Sequence, residues 1–160
     1  MRLLVNGPEA EATARAAVGG AAELVPAKYG DIWLRDTGPI FARTHGGAVA
    51  LRFNVNGWGG KHDLEDDATV GDRIAELAGA EIRRFDFVLE GGAVDHDGQG
   101  TILATRQTLL NPNRNGWDEA AAEAALAAAF GAKVIWVDEG LLGDHTDGHI
   151  DNIARFVEPG

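Results

Sequence analysis

The densest run of reactive side chains is Asp144-His145-Thr146-Asp147-Gly148-His149-Ile150-Asp151-Asn152, which holds two histidines and three carboxylates. On an extended segment, residues i and i+2 share a face, so His149 and Asp151 are expected to point the same way. An imidazole beside a carboxylate is held with raised basicity near neutral pH, which suits proton transfer. One reading is therefore a general acid/base with an anionic neighbour that also binds a cation. The plainer reading is a solvated acidic loop; the density of titratable groups, with Gly148 permitting an unusual turn, favours chemistry. A metal reading competes, because His145, His149 and Asp151 form an H-x3-H-x-D pattern compatible with a two-histidine, one-carboxylate site. Histidines four apart share a face only on a helix, which Gly148 opposes.

Two shorter clusters add to this one. In Asp31-Ile32-Trp33-Leu34-Arg35-Asp36-Thr37-Gly38-Pro39, Asp36 follows an alternating Ile32, Leu34 pattern and is expected near the rim of a strand. Trp33 offers an apolar wall or a cation–π face. Arg35 is either the internal counter-ion of Asp36 or a partner for a substrate carboxylate. In Leu89-Glu90-Gly91-Gly92, a glutamate followed by two glycines has little steric cover, so a ligand can come close. Taken singly, each cluster reads as a structural turn. Together they predict a cavity with Asp36, Glu90 and Asp151 around His149. Three carboxylates converging on one imidazole repel each other unless a cation sits among them. A guanidinium fits, because its planar fork pairs with carboxylates along two edges. The glycine-rich stretch Asn54–Lys61 lacks the spacing of a phosphate-binding loop, although its Trp58 is a candidate lining residue. Asn111-Pro112-Asn113-Arg114-Asn115 reads as a rigid polar turn before a helix.

These clusters must be positioned by alternating helices and strands. Pro8 opens a first helix that Gly19-Gly20 end; Asp66 or Asp67 caps a second, closed by Gly79; a third starts after Asn115-Gly116 and ends at Gly131. The third is so rich in alanine that it must lie close against something flat, such as a sheet. Strands are expected over Leu3–Asn6, Ile40–Arg43, Ala48–Asn54, Phe87–Leu89, Thr101–Thr105, Val134–Val137 and Ile153–Val157. A weak repeat runs through this order. Each helix stops at Gly-Ala, a short strand follows, and after a loop a polar cluster opens the next apolar strand. The fold class is α/β, built from modules that present polar groups to a shared centre.

The chain has 160 residues, a hydrophobic fraction of 45%, a formal net charge of −11 and no cysteine. That composition is globular, and the charge disfavours nucleic acid and anionic membrane while favouring a cationic small ligand. Thiol chemistry and disulfides within the chain are excluded. Met1–Val5 is too short for a secretory signal and no segment is long enough to span a bilayer, so a cytoplasmic location is the simplest expectation.

The ordered motifs Trp33-Leu34-Arg35-Asp36-Thr37-Gly38-Pro39, Phe53-Asn54 with Trp58-Gly59-Gly60-Lys61, Leu89-Glu90-Gly91-Gly92, Leu109–Asn115 and Thr146–Asn152 resemble those of agmatine deiminases and bacterial peptidylarginine deiminases. The resemblance implies a pentein fold, a five-bladed α/β propeller around a central site, with roughly three of the five modules in residues 1–160. It implies a reaction in which a cysteine thiolate attacks the guanidinium carbon, ammonia leaves, and water hydrolyses the thiouronium to a ureido product. Asp36 and Asp151 would grip the guanidinium nitrogens, His149 would be the acid/base, and Glu90 would help bind the guanidinium. From the residues themselves, Trp33, Trp58 and Arg35 are expected to line the substrate, which the resemblance makes agmatine or a peptide arginine. No metal or organic cofactor is expected. The chain departs from the pattern in its length and in lacking the cysteine. The expectation is therefore a single partial domain, truncated at both ends and inactive alone. Its open sheet edges would call for a partner, such as a further copy of the chain. Two rivals stand beside it: a divalent-metal hydrolase using His145, His149 and Asp151, and a non-catalytic module that binds cationic ligands.

Overall fold

A computed structural model describes residues 1–159. Its elements in chain order are β1 (Arg2–Val5), α1 (Pro8–Val18), β2 (Glu23–Pro26), α2 (Leu34–Thr37), β3 (Ile40–Thr44), β4 (Gly47–Asn54), α3 (Gly57–Gly60) and α4 (Asp67–Ala78). There follow β5 (Glu81–Val88), a 3₁₀ turn (Gly91–Ala93), β6 (Val94–His96), β7 (Thr101–Thr105), α5 (Arg106–Leu109), α6 (Glu119–Phe130), β8 (Lys133–Val137) and a second 3₁₀ turn (Ile150–Asn152).

The repeat becomes a three-dimensional unit. Sheets β3-β4-β5 and β6-β7-β8 have the same topology: an antiparallel hairpin, a helical crossover, then a strand parallel to the hairpin's second member. The pair β1-β2, parallel and joined by α1, repeats the last two-thirds of that unit. Each Gly-Ala stop turns a helix into the unit's final strand, with Gly79 and Gly131 in the left-handed conformation that ends α4 and α6.

The main core lies between the second and third units. Val49 to Phe53 are buried without a break, so β4 is covered on both faces, as expected of an inner strand. Phe53 stacks on Phe85 and Phe130 at centroid distances of 5.4 and 5.6 Å. Helix α6 buries Ala122, Leu126 and Ala129, one face of the helix; their small size lets it lie close to its sheet, as its composition predicts. Asp118 caps it by accepting from the Ala121 N–H.

Several expectations need correction. Asp66 stands at the N-cap of α4 but its side chain caps nothing. Asp67 turns away instead, accepting from the N–H groups of Gly30 and Asp31, both at 2.9 Å, and so secures the loop that leads to Trp33. Strand β5 is longer than Phe87–Leu89, because Arg83 and Arg84 sit on exposed positions that disguise its alternation. Residues 153–157 form no strand, since no described segment runs beside them to pair. Their anchors are side-chain contacts to Asp95, which accepts from the Phe156 N–H and pairs with Arg155.

Arg52, 5% exposed, fastens the second unit together. Its Nε donates to Asp72, Nη1 to the Thr37 carbonyl and Nη2 to the Ala68 carbonyl, joining β4, α4 and α2. Gly71 makes room for it: a Cβ there would lie 2.4 Å from Arg52 Cζ. Gly to Ala inside a helix normally stabilises by about 0.5–1 kcal/mol. Here Gly71→Ala is expected to lower the melting temperature, through overpacking worth roughly 1–3 kcal/mol. A raised melting temperature would show that the Arg52 cluster does not constrain this helix.

Candidate active site

The three polar clusters occupy equivalent places. Each forms a single helical turn: α2 carries Asp36, the first 3₁₀ turn follows Glu90, and the second carries Asp151 just after His149. Asp36 is thus on a helical turn ahead of β3, not on the rim of a strand. His149 is extended (φ −50°, ψ 138°) but Asp151 is in a 3₁₀ turn, so the alternation of a strand is not what brings them together.

They converge on Gly92. A methyl group at its Cβ position would lie 2.5 Å from His149 Nδ1, 2.7 Å from Asp36 Oδ1 and 2.8 Å from Asp151 Oδ2. Only glycine leaves that space open. Asp36 Oδ1 accepts from the Gly92 N–H at 2.8 Å, and Oδ2 from the Trp58 indole N–H at 3.0 Å. Trp58 reaches it from a left-handed backbone conformation (φ 55°), costly for a bulky residue and maintained only where the surroundings over-determine it. Asp36 Oδ1 is also 3.7 Å from His149 Nδ1.

A cleft of about 170 Å³ opens here, lined by Asp36, Trp58, His149 and Asp151 and by the more exposed Trp33 and Arg35. Trp33 is 56% exposed. Arg35 does not pair with Asp36; its Nε lies 3.8 Å from Asp151 and its Nη2 donates to the Val94 carbonyl. Glu90 sits behind Asp36 and Trp58, lining with them a void of about 10 Å³. His145 lines the cleft but its side chain is 67% exposed, pairing with Asp144 and meeting the His62 ring edge-on. Among the described residues, no group of three or more histidines and carboxylates is arranged to hold a metal ion. His145, His149 and Asp151 therefore do not make the site their spacing suggested.

The backbone at His149 is held from two sides. Thr105 and Thr108 of the β7–α5 junction, both fully buried, donate hydroxyl hydrogen bonds to the Gly148 and Asp147 carbonyls. From the other side the His149 N–H donates to Thr146 Oγ1 and Asp144 Oδ2. Gly148, at φ +85°, has no room for a side chain, since a Cβ would meet the Gln107 amide oxygen at 2.3 Å.

Sequence reasoning overlooked one residue of this site. Arg114, which seemed part of a polar turn, is buried against Glu90: its Nε donates to Glu90 Oε1 at 2.8 Å. Its Nη1 pairs with Asp147 Oδ2 at 2.7 Å and its Nη2 donates to the Thr146 carbonyl. The available signal was a lone arginine among three asparagines, Asn111, Asn113 and Asn115.

Burial dominates the electrostatics. It pushes the carboxyls of Asp36, Glu90 and Asp151 above their ordinary range, and it outweighs the Gly92 and Trp58 hydrogen bonds to Asp36 and the Arg114 pairing of Glu90. Burial likewise lowers His149 to about 4, against the opposing pull of Asp151. Asp147 behaves differently: burial raises it, but bonds from Lys61, Asn113 and Arg114 win and bring it to about 2. Two buried atoms in this region, Glu90 Oε2 and His149 Nε2, have no hydrogen-bond partner among the described residues. Buried polar atoms are normally satisfied, so each of these exceptions calls for a partner such as water or a ligand.

Followed by NMR, the His149 ring is expected to titrate near 4 in the ligand-free protein. Asp151→Asn removes the charge that favours its protonated form and should move the midpoint lower still. An upward movement would contradict the assigned geometry.

Comparison with known proteins identifies the family. A family model of the Porphyromonas-type peptidyl-arginine deiminases matches residues 1–160. The agmatine deiminase of Pseudomonas fluorescens is 41% identical over 139 residues, covering 81% of this chain and 38% of that protein. Among solved structures, an agmatine deiminase of Enterococcus faecalis superposes with a TM-score of 0.93 at 31% identity, over 100% of this chain and 46% of that one. A cysteine-to-serine variant of a C. jejuni agmatine deiminase with substrate bound gives a TM-score of 0.84 at 32% identity, over 99% of this chain and 49% of that one. The chain thus spans about half the length, or less, of these relatives, and its three units are part of a pentein-type α/β propeller. The chain belongs to the Porphyromonas-type peptidyl-arginine deiminase family.

Proposed function

We propose that these residues form the guanidinium-binding and proton-transfer part of a deiminase that converts agmatine to N-carbamoylputrescine and ammonia. The observation that carries this reading is the convergence of Asp36, Asp151 and His149 on the space above Gly92, with Glu90 behind them. Carboxylates buried together are stabilised by a cation, and a guanidinium presents N–H donors along more than one edge. Asp36 Oδ1 and Asp151 Oδ2 would take two of those edges. The net charge of −11 assists capture of a cation with a second positive charge on its tail.

The nucleophile must come from outside this sequence, which has no cysteine. In the mechanism we infer, neutral His149 takes the proton of a thiol, and the resulting thiolate attacks the guanidinium carbon to give a tetrahedral adduct. His149 passes a proton to the departing nitrogen, ammonia leaves, and a thiouronium remains. Water, losing one proton to His149, adds to the thiouronium carbon; expulsion of the thiolate and loss of the hydroxyl proton give the ureido product, and His149 returns its proton to the thiolate. A histidine lowered to about 4 is neutral at pH 7. It therefore acts first as a base, and each proton it delivers is one it has just accepted.

The test uses the full-length protein that carries this sequence. His149→Asn is expected to reduce ammonia release from agmatine by about 10²–10⁴-fold, the usual scale for a positioned acid/base, while calorimetry still detects binding. Retained ammonia release would remove the proton-transfer role. Stoichiometric zinc or iron in active protein, lost together with activity on chelation, would instead favour the metal hydrolase.

A further inference from the structure

We propose that Arg114 is a positioning residue of the guanidinium site, holding Glu90, which stands behind Asp36, and the His149 loop in one fixed relation. This rests on the deiminase reading above. The Arg114 side chain is completely buried, and all three of its nitrogens are used. A purely structural arginine–carboxylate pair commonly takes both carboxylate oxygens in a fork. Arg114 takes only Oε1, with Nε, and commits its other two nitrogens to the loop: Nη1 to Asp147 and Asn113, and Nη2 to the Thr146 carbonyl. Three residues beyond Thr146 stands His149. One rigid guanidinium therefore spans the two halves of the site, with Glu90 lining a small void beside Asp36 and Trp58.

The anchor is itself secured. Asp147, in a left-handed conformation at φ 65°, receives Lys61 Nζ on Oδ1 and Arg114 on Oδ2. Arg114 also acts on charge. Glu90 is raised by burial and by Asp36, and Arg114 is what pulls it back toward the ionised form. His149 is lowered by burial; Asp151 and Asp144 oppose that, while Arg114 and His145 add to it. A lysine would keep the charge but cannot hold three directions at once.

The experiment compares Arg114→Met, Arg114→Lys and Glu90→Gln, with the Glu90→Gln/Arg114→Met double variant, in the full-length protein. It reads the His149 NMR midpoint without substrate, and kcat and KM for ammonia release from agmatine across pH. Arg114→Met is expected to raise the His149 midpoint above about 4 and to cut kcat by roughly 100-fold, the scale of a small misplacement. Arg114→Lys should leave the midpoint near its original value and still lose kcat. The double variant should lose little more than Glu90→Gln, because Arg114 acts through Glu90. An unchanged midpoint and unchanged kcat in folded Arg114→Met, with only a lower melting temperature, would overturn the proposal. If that variant does not fold, Asp147→Asn frees the far end of the same guanidinium: lost kcat supports the proposal, and unchanged kcat overturns it. Should the unaltered protein release no ammonia, the deiminase reading fails by itself, and the His149 midpoint still decides the role of Arg114.

Discussion

Competition among buried acidic groups governs this structure. Asp36 and Glu90 are buried and Asp151 partly so, Asp36 and Asp151 beside one imidazole, and burial raises all three. Only Glu90 has a buried cation as a direct partner, Arg114. Asp36 is stabilised by an indole and a backbone N–H, which are weaker substitutes for a charge, and Asp151 has the more exposed Arg35 at 3.8 Å. A planar cation entering above Gly92 would relieve that competition, and its binding would drive protons off the carboxyls it pairs with. The low resting basicity of His149 belongs to the same balance, since an imidazolium there would compete with the ligand for the same carboxylates.

The fold makes such a collection possible by repetition. A polar turn stands just ahead of the first strand of the second and third units, another follows the third unit ahead of residues 153–157, and the fold brings the three together. Asp36, Glu90 and Asp151 are thus not independent inventions of three loops. The cost of crowding them is met by glycine at Gly92 and by the strained backbone of Trp58 and Asp147. Around them the packing is conventional: an aromatic cluster on Phe53 and an alanine-faced helix on its sheet.

Much of this was legible from residues alone. The Gly-Ala stops marked helix ends because left-handed backbone favours glycine, and the polar clusters stood out because no ordinary turn needs so many titratable groups. Local patterns did not carry the rest. Asp67 looks like a helix cap, yet its carboxylate serves a loop more than thirty residues earlier. Arg114 looks like part of a polar turn because its partners, Glu90 and Asp147, are brought to it only by tertiary structure. Residues 153–157 have the composition of a strand, but a strand requires a neighbour to pair with, and composition does not supply one. Arg35 left two partners open; the structure gives a third, Asp151.

The central claim is that one guanidinium-sized space lies between Asp36, Asp151 and His149. It is tested most directly by calorimetry of agmatine with the full-length protein and its Gly92→Ala variant. The added methyl would sit within 2.8 Å of all three groups. Binding to the unaltered protein, with loss of that binding in a variant that keeps its fold by circular dichroism, is the predicted result. Undiminished agmatine affinity in folded Gly92→Ala would contradict it.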